Sequence, residues 1–268
     1  MDQLVSMLYG LILLASLAVW GLIFERLTTG VPLVSRSVPV TRPRPWLAIV
    51  VTLGWIGFSC LSQLFLHSQP PMAEKFNEQQ ALFLLSFNLL AQITTTCLLL
   101  VCLTRLGSQR LTRFGIDGRQ PGEAIEAGLL GYLTAVIPVI ILNVAVSAFR
   151  TEENQHVFLQ ILDSHKSVLL VVLMIASAVI MAPLEEELMY RVILQGTLQR
   201  HLPPMASILI SASLFSAVHG FPDAVGLFPL ALILGFLYWR TGSYLTIVTT
   251  HATFNGVTVF LTLMSPQG

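Results

Sequence analysis

The stretch Ala182-Pro183-Leu184-Glu185-Glu186-Glu187-Leu188-Met189-Tyr190-Arg191 lies inside an apolar run from about Val168 to Leu198. The run reads as membrane-embedded, and packing alone does not explain three consecutive carboxylates and an arginine in it. A charged side chain at the centre of a membrane helix costs roughly 2.5–3.5 kcal/mol on insertion scales, so such residues line cavities and do chemistry. Two later apolar segments each add a lone histidine, His219 and His251. The three segments read as parts of one site.

Composition supports the membrane setting. Of 268 residues, 54% are hydrophobic and 10% charged, and the mean hydropathy is +0.77. Soluble domains carry about 25% charged residues. The fold class predicted is all-α, a polytopic membrane helix bundle with about eight transmembrane helices and an intramembrane polar cavity. The net charge of +0 gives no reason to expect nucleic acid or an acidic partner. Cys60, Cys97 and Cys102 all lie in apolar segments without metal-ligand spacing and read as small hydrophobes.

Outward from the acidic stretch, a span needs about 20 mostly apolar residues. Leu4–Phe24 qualifies as the first; Met1-Asp2-Gln3 lacks the basic flank of a signal peptide, so this span reads as uncleaved. Glu25–Pro45 is expected as a loop carrying Arg26, Arg36, Arg42 and Arg44, broken by four prolines. Trp46–Leu66, Ala81–Leu103 and Ile125–Ala148 are the next three spans, the last with Pro138 as an expected kink. Between Arg150 and Lys166 a short interfacial helix is expected. The run from Val168 to Arg200 covers roughly 50 Å of helix, more than the bilayer core, and Pro183 is the expected break or kink. Met205–Val218, Val225–Trp239 and Tyr244–Leu263 complete the set. Residues 1–165 hold N-terminal helices and loops, and residues 166–264 hold the later apolar segments with the acidic stretch and both lone histidines. Arginine-rich connectors after spans one and three, with Arg200 and Arg240 after five and seven, put these loops on the cytoplasmic side and both termini outside.

Residues four apart share a helix face. Glu187 and Arg191 are so spaced and suit an ion pair, while Glu186 lies about 100° further round. Phe215 with His219, and His251 with Asn255, repeat the spacing. Together the helices offer a carboxylate, two imidazoles and an amide. Burial in an apolar cavity brings a carboxylate towards the pKa of a general base for water. A histidine can orient that water, and a histidine and asparagine on one face can donate to the oxyanion of an attacked peptide carbonyl. No nucleophilic serine or cysteine is needed.

Glu186-Glu187-x-x-x-Arg191, Phe215-x-x-x-His219 and His251-x-x-x-Asn255 resemble the three signature motifs of the CPBP (Abi) family of intramembrane endopeptidases, which includes the CAAX prenyl proteases. The resemblance covers about Lys166 to Met264 and implies that residues 166–264 are the catalytic core. It implies that Glu186 is the catalytic base and that His219 helps position the water. It assigns His251 and Asn255 to the oxyanion, with Glu187 and Arg191 holding the site in shape and Phe215 supporting His219. It implies no cofactor and no metal. The implied partners are the lipid bilayer and a membrane-associated protein or peptide substrate, with or without a lipid anchor, in a bacterial-type inner membrane. One departure is that Val192 stands where the family commonly has glycine, and Glu185 is an acid outside the motif, read as a bystander.

Three other readings remain open on the residues alone. Glu186, His219 and His251 could form a His₂Glu zinc site of a membrane protease, although the sequence lacks H-E-x-x-H. The chain could be a catalytically silent scaffold or bacteriocin-immunity-type binding protein. A transporter would also explain ionisable residues at depth, though no repeat symmetry supports one.

Overall fold

The computed structural model describes residues 2–34, 43, 46, 49–51, 53–55, 57, 77–106, 110–118, 120–150 and 167–264. Within these, seven long helices are α1 Asp2–Thr29, α2 Glu78–Val101, α3 Pro121–Ala145, α4 Val168–Leu198, α5 Pro204–Ala217, α6 Asp223–Thr241 and α7 Tyr244–Met264. Among the described residues there is no strand. All but α5 are long and apolar enough to cross a bilayer, so the protein is a multi-pass integral membrane protein. The expected count of eight is not reached among these residues. Most of Trp46–Leu66 lies outside them, as do the expected interfacial helix after Arg150 and Cys60. The 14-residue α5 spans only about 21 Å, short of a hydrocarbon core of about 30 Å.

Two boundaries differ from the sequence reading. Helix α1 continues past Phe24 to Thr29, so Glu25–Thr29 is helical rather than loop. Thr28 and Thr29 each donate a side-chain hydrogen bond to Glu25 O at 2.8 Å, and Gly30, at φ 72°, ends the helix. Helix α4 does not break at Pro183. The backbone stays helical from Val168 to Leu198 by switching to π-winding over Ile175–Met181 and Glu187–Gln195. A wider turn relieves the clash that a proline ring makes with the carbonyl four residues back in an α-helix.

Helix α3 is the hub, packed against α1, α6 and α7. Its contact with α7 depends on two glycines. A Cβ on Gly128 would fall 2.6 Å from Thr249 Cβ, and one on Gly131 would fall 2.7 Å from Thr250 Oγ1. Their absence lets the backbones approach closely enough for Thr250 Oγ1 to donate to Gly128 O at 2.9 Å. Small residues and hydroxyls at such contacts are how helices associate where lipid is as apolar as the side chains. Thr250 precedes His251, so this seam fixes where that imidazole points. On the other flank, α2 and α4 are joined through a buried hydroxyl: Asn88 Nδ2 donates to Ser177 Oγ at 2.7 Å, and Ser177 Oγ donates to Gln92 Oε1 at 2.9 Å. Leu85 meets Leu170 nearby, and Thr95 lies beside the Glu185 side chain further along, so the two helices run in the same direction. Away from these contacts, a cavity of about 260 Å³ lies between the ends of α1 and α6, lined in part by Arg26, Trp239 and Arg240.

Candidate active site

Three consecutive glutamates on one helix cannot point the same way, and each meets a different neighbour. Glu187 and Arg191 both have fully buried side chains, and Arg191 Nη1 donates to Glu187 Oε1 at 3.1 Å. A buried ion pair offsets its desolvation only when its remaining polar atoms find partners. Here Arg191 Nη2 donates to Ala231 O of α6 at 3.3 Å and the guanidinium stacks 4.4 Å from the Phe215 ring centroid, whereas Arg191 Nε and Glu187 Oε2 are buried without a hydrogen-bond partner, so the offset is incomplete. Glu187 Oε1 also accepts from His251 Nδ1 at 2.8 Å.

That contact orients His251. With Nδ1 bonded to a carboxylate, Nε2 is the ring atom left to face outward. It lies 3.8 Å from Glu186 Oε2. The His251 side chain is 4% exposed, whereas that of Glu186 is 24% exposed. Glu186 is thus a carboxylate that is open on one side, against an imidazole held from behind by Glu187.

Glu185 is a different case from the bystander expected of it. It is only 8% exposed, and its side chain lies beside Trp55 and Thr95 of α2. Nothing within the motif signals this, because both partners come from segments far away in sequence.

Phe215 joins the second motif to the first. It is buried, edge-on to Tyr190 at 5.2 Å and to His251 at 5.7 Å, and 4.9 Å from His219. Tyr190 O in turn accepts from Ser211 Oγ at 2.8 Å, which pins α5 to α4. His219 lies in the turn after α5, with Nδ1 2.8 Å from Phe215 O. A carbonyl only accepts, so Nδ1 carries the proton and Nε2 is left as an acceptor. The short α5 therefore ends beside the acidic stretch.

Asn255, one turn beyond His251, does not reach the carboxylates. Its Nδ2 donates to Ala178 O of α4 at 2.8 Å. The structure thus groups Glu186, Glu187, Arg191, Phe215 and His251, stacks His219 on Phe215, and ties Asn255 to a neighbouring turn of α4. Val192, where the motif family commonly has glycine, is fully buried in the main core. Tyr244 Oη donates to Leu184 O at 2.6 Å and fastens the start of α7 beside the glutamates, a contact that no local sequence pattern signals. Among the described residues no three His, Cys, Asp or Glu side chains converge as a metal-ligand set. The group suits proton transfer to and from water, with one open carboxylate and two imidazole nitrogens free for further contacts.

Residues 168–257, from the first turn of α4 to just past Asn255, match the family model described as Type II CAAX prenyl endopeptidase Rce1-like. No curated protein and no solved structure matches the chain. This segment, which carries all three motifs, is thus similar to the type II CAAX prenyl endopeptidases of the Rce1-like family.

Proposed function

We propose that the protein is an intramembrane endopeptidase in which Glu186 activates the water that hydrolyses a peptide bond. The observation that carries this reading is the asymmetry of the acidic stretch. Glu187 is sealed between Arg191 and His251, while Glu186 stays open with His251 Nε2 at 3.8 Å.

In the proposed reaction Glu186 takes a proton from water as the oxygen attacks the substrate carbonyl carbon. His219 Nε2, an unprotonated acceptor, holds the other hydrogen of that water and fixes its direction of attack. The carbonyl oxygen gathers negative charge and accepts from Asn255 Nδ2 and, in its imidazolium form, from His251 Nε2. Glu187 holds the His251 ring for this task. Collapse of the tetrahedral intermediate breaks the C–N bond, and Glu186 returns its proton to the leaving amine. A positioned base contributes about 10²- to 10⁴-fold, and one oxyanion donor about 10²- to 10³-fold.

The substrate is proposed to be a membrane-associated protein or peptide, in keeping with the family description and the helices that bury the site in the bilayer. Residues 166–264 are proposed as the catalytic core, supported by residues 1–165, and the bacterial inner membrane as its location. The test compares membrane-protein termini by mass spectrometry in cells carrying the wild type or Glu186→Ala. New termini present only with the wild type support the reading; identical termini in both, at equal expression, count against it.

A further inference from the structure

Pro183 withholds a backbone donor at the point where α4 meets Asn255. Over Ile175–Met181 the helix is π-wound, and the Ala182 N–H bonds Ser177 O, five residues back. The next pair in that register is residue 183 onto Ala178 O. Residue 183 is proline and has no N–H to give. Inside a membrane there is no bulk water to satisfy such a carbonyl, so another protein group must. Ala178 O accepts from Asn255 Nδ2 at 2.8 Å, across the contact between α4 and α7.

The consequence falls on Asn255. An asparagine amide has two N–H donors on one nitrogen and an acceptor oxygen opposite. Anchoring one N–H on Ala178 O fixes which end of the amide faces α4 and leaves the second N–H free. We propose that Pro183 is a positioning residue: by leaving Ala178 O without its backbone donor, it makes that carbonyl the anchor that orients Asn255 towards the oxyanion. This rests on the proposed peptidase function. Any other residue at 183 supplies an N–H that shares Ala178 O with the amide and so weakens and redirects that anchor. The proline whose place in the sequence suggests a helix break or kink is, in this account, a device for aiming a side chain on another helix.

The experiment uses the full-length purified protein with Pro183→Ala, and Pro183→Ser as a second variant that restores the N–H in the same way. Alanine and serine both favour helix over proline, so a purely structural role predicts equal or better activity and an unchanged or higher melting temperature. The proposal predicts an unlowered melting temperature with kcat reduced about 100-fold, the size of one lost oxyanion donor, and with KM unchanged. Adding Asn255→Ala to Pro183→Ala should slow the enzyme no further than Asn255→Ala alone. In ¹⁵N-asparagine-labelled protein, the side-chain amide resonances of Asn255 should shift on Pro183→Ala. Full kcat in both proline variants, additive losses in the double variant, or unmoved Asn255 resonances would overturn the proposal. Glu186→Gln in the same assay separates the two claims: a fully active Glu186→Gln defeats the peptidase mechanism, and the resonance shift still reports on Pro183 and Asn255.

Discussion

Arg191→Met is the perturbation whose size can be worked most fully from the structure. Arg191 is the largest fully buried side chain, and its removal strands the equally buried Glu187. Breaking a buried pair from one side costs about 3–5 kcal/mol. The residual Glu187–His251 contact at 2.8 Å offsets part of this. The lost stacking on Phe215, at 4.4 Å, adds up to about 2 kcal/mol in a desolvated site. The estimate therefore stays at about 3–5 kcal/mol, or a factor of roughly 10² to 10⁴ in the folding equilibrium. Glu187→Leu combined with Arg191→Met removes both charges and leaves mainly His251 Nδ1 without its partner, a cost of about 1–3 kcal/mol. The double variant should thus be more stable than Arg191→Met alone. It should also be inactive, because nothing then holds the His251 ring. Equilibrium unfolding in mixed micelles, followed by tryptophan fluorescence, measures all four corners of the cycle. An Arg191→Met protein as stable as the wild type, or a double variant less stable than the single one, would refute the argument.

Other expectations follow from the helix contacts. Gly131→Leu drives a side chain into Leu237 and Thr250, so it should lower stability by about 1–3 kcal/mol, read by the same unfolding assay, and reduce activity by displacing His251. Ser177→Ala removes the hydroxyl between Asn88 and Gln92; a loss of about 0.6–1.7 kcal/mol is expected, with cleavage largely retained because Ser177 is outside the reacting group. Activity of protein prepared metal-free should survive excess chelator, and loss restored by added zinc would replace the glutamate mechanism with the His₂Glu alternative.

The apolar runs and the three spaced motifs were legible because both are local patterns: α3, α4, α6 and α7 lie close to the spans that hydropathy marks. The path of α4 through Pro183 was not. Whether a proline breaks a helix depends on how the preceding turns are wound, and composition does not encode a shift from bonds four residues back to bonds five back. The surroundings of Glu185 are hidden from the sequence for a related reason. Its burial depends on Trp55 and Thr95, and a spacing rule confined to one helix has no access to partners on others. Asn88 and Gln92 passed unremarked inside an apolar span for the same cause, since their value lies in the hydroxyl of Ser177 on α4. For Asn255, the sequence supplied the face that it shares with His251, and only the fold supplied its anchor on Ala178 O.

The most direct test of the central claim is cleavage by purified protein in proteoliposomes, using the substrate that the terminus comparison identifies, with the wild type set against Glu186→Gln. The glutamine keeps the size and polarity of the side chain and removes its ability to take a proton from water. The account predicts that turnover falls by about 10²-fold or more while the variant still folds and binds substrate. Wild-type turnover by Glu186→Gln would contradict it.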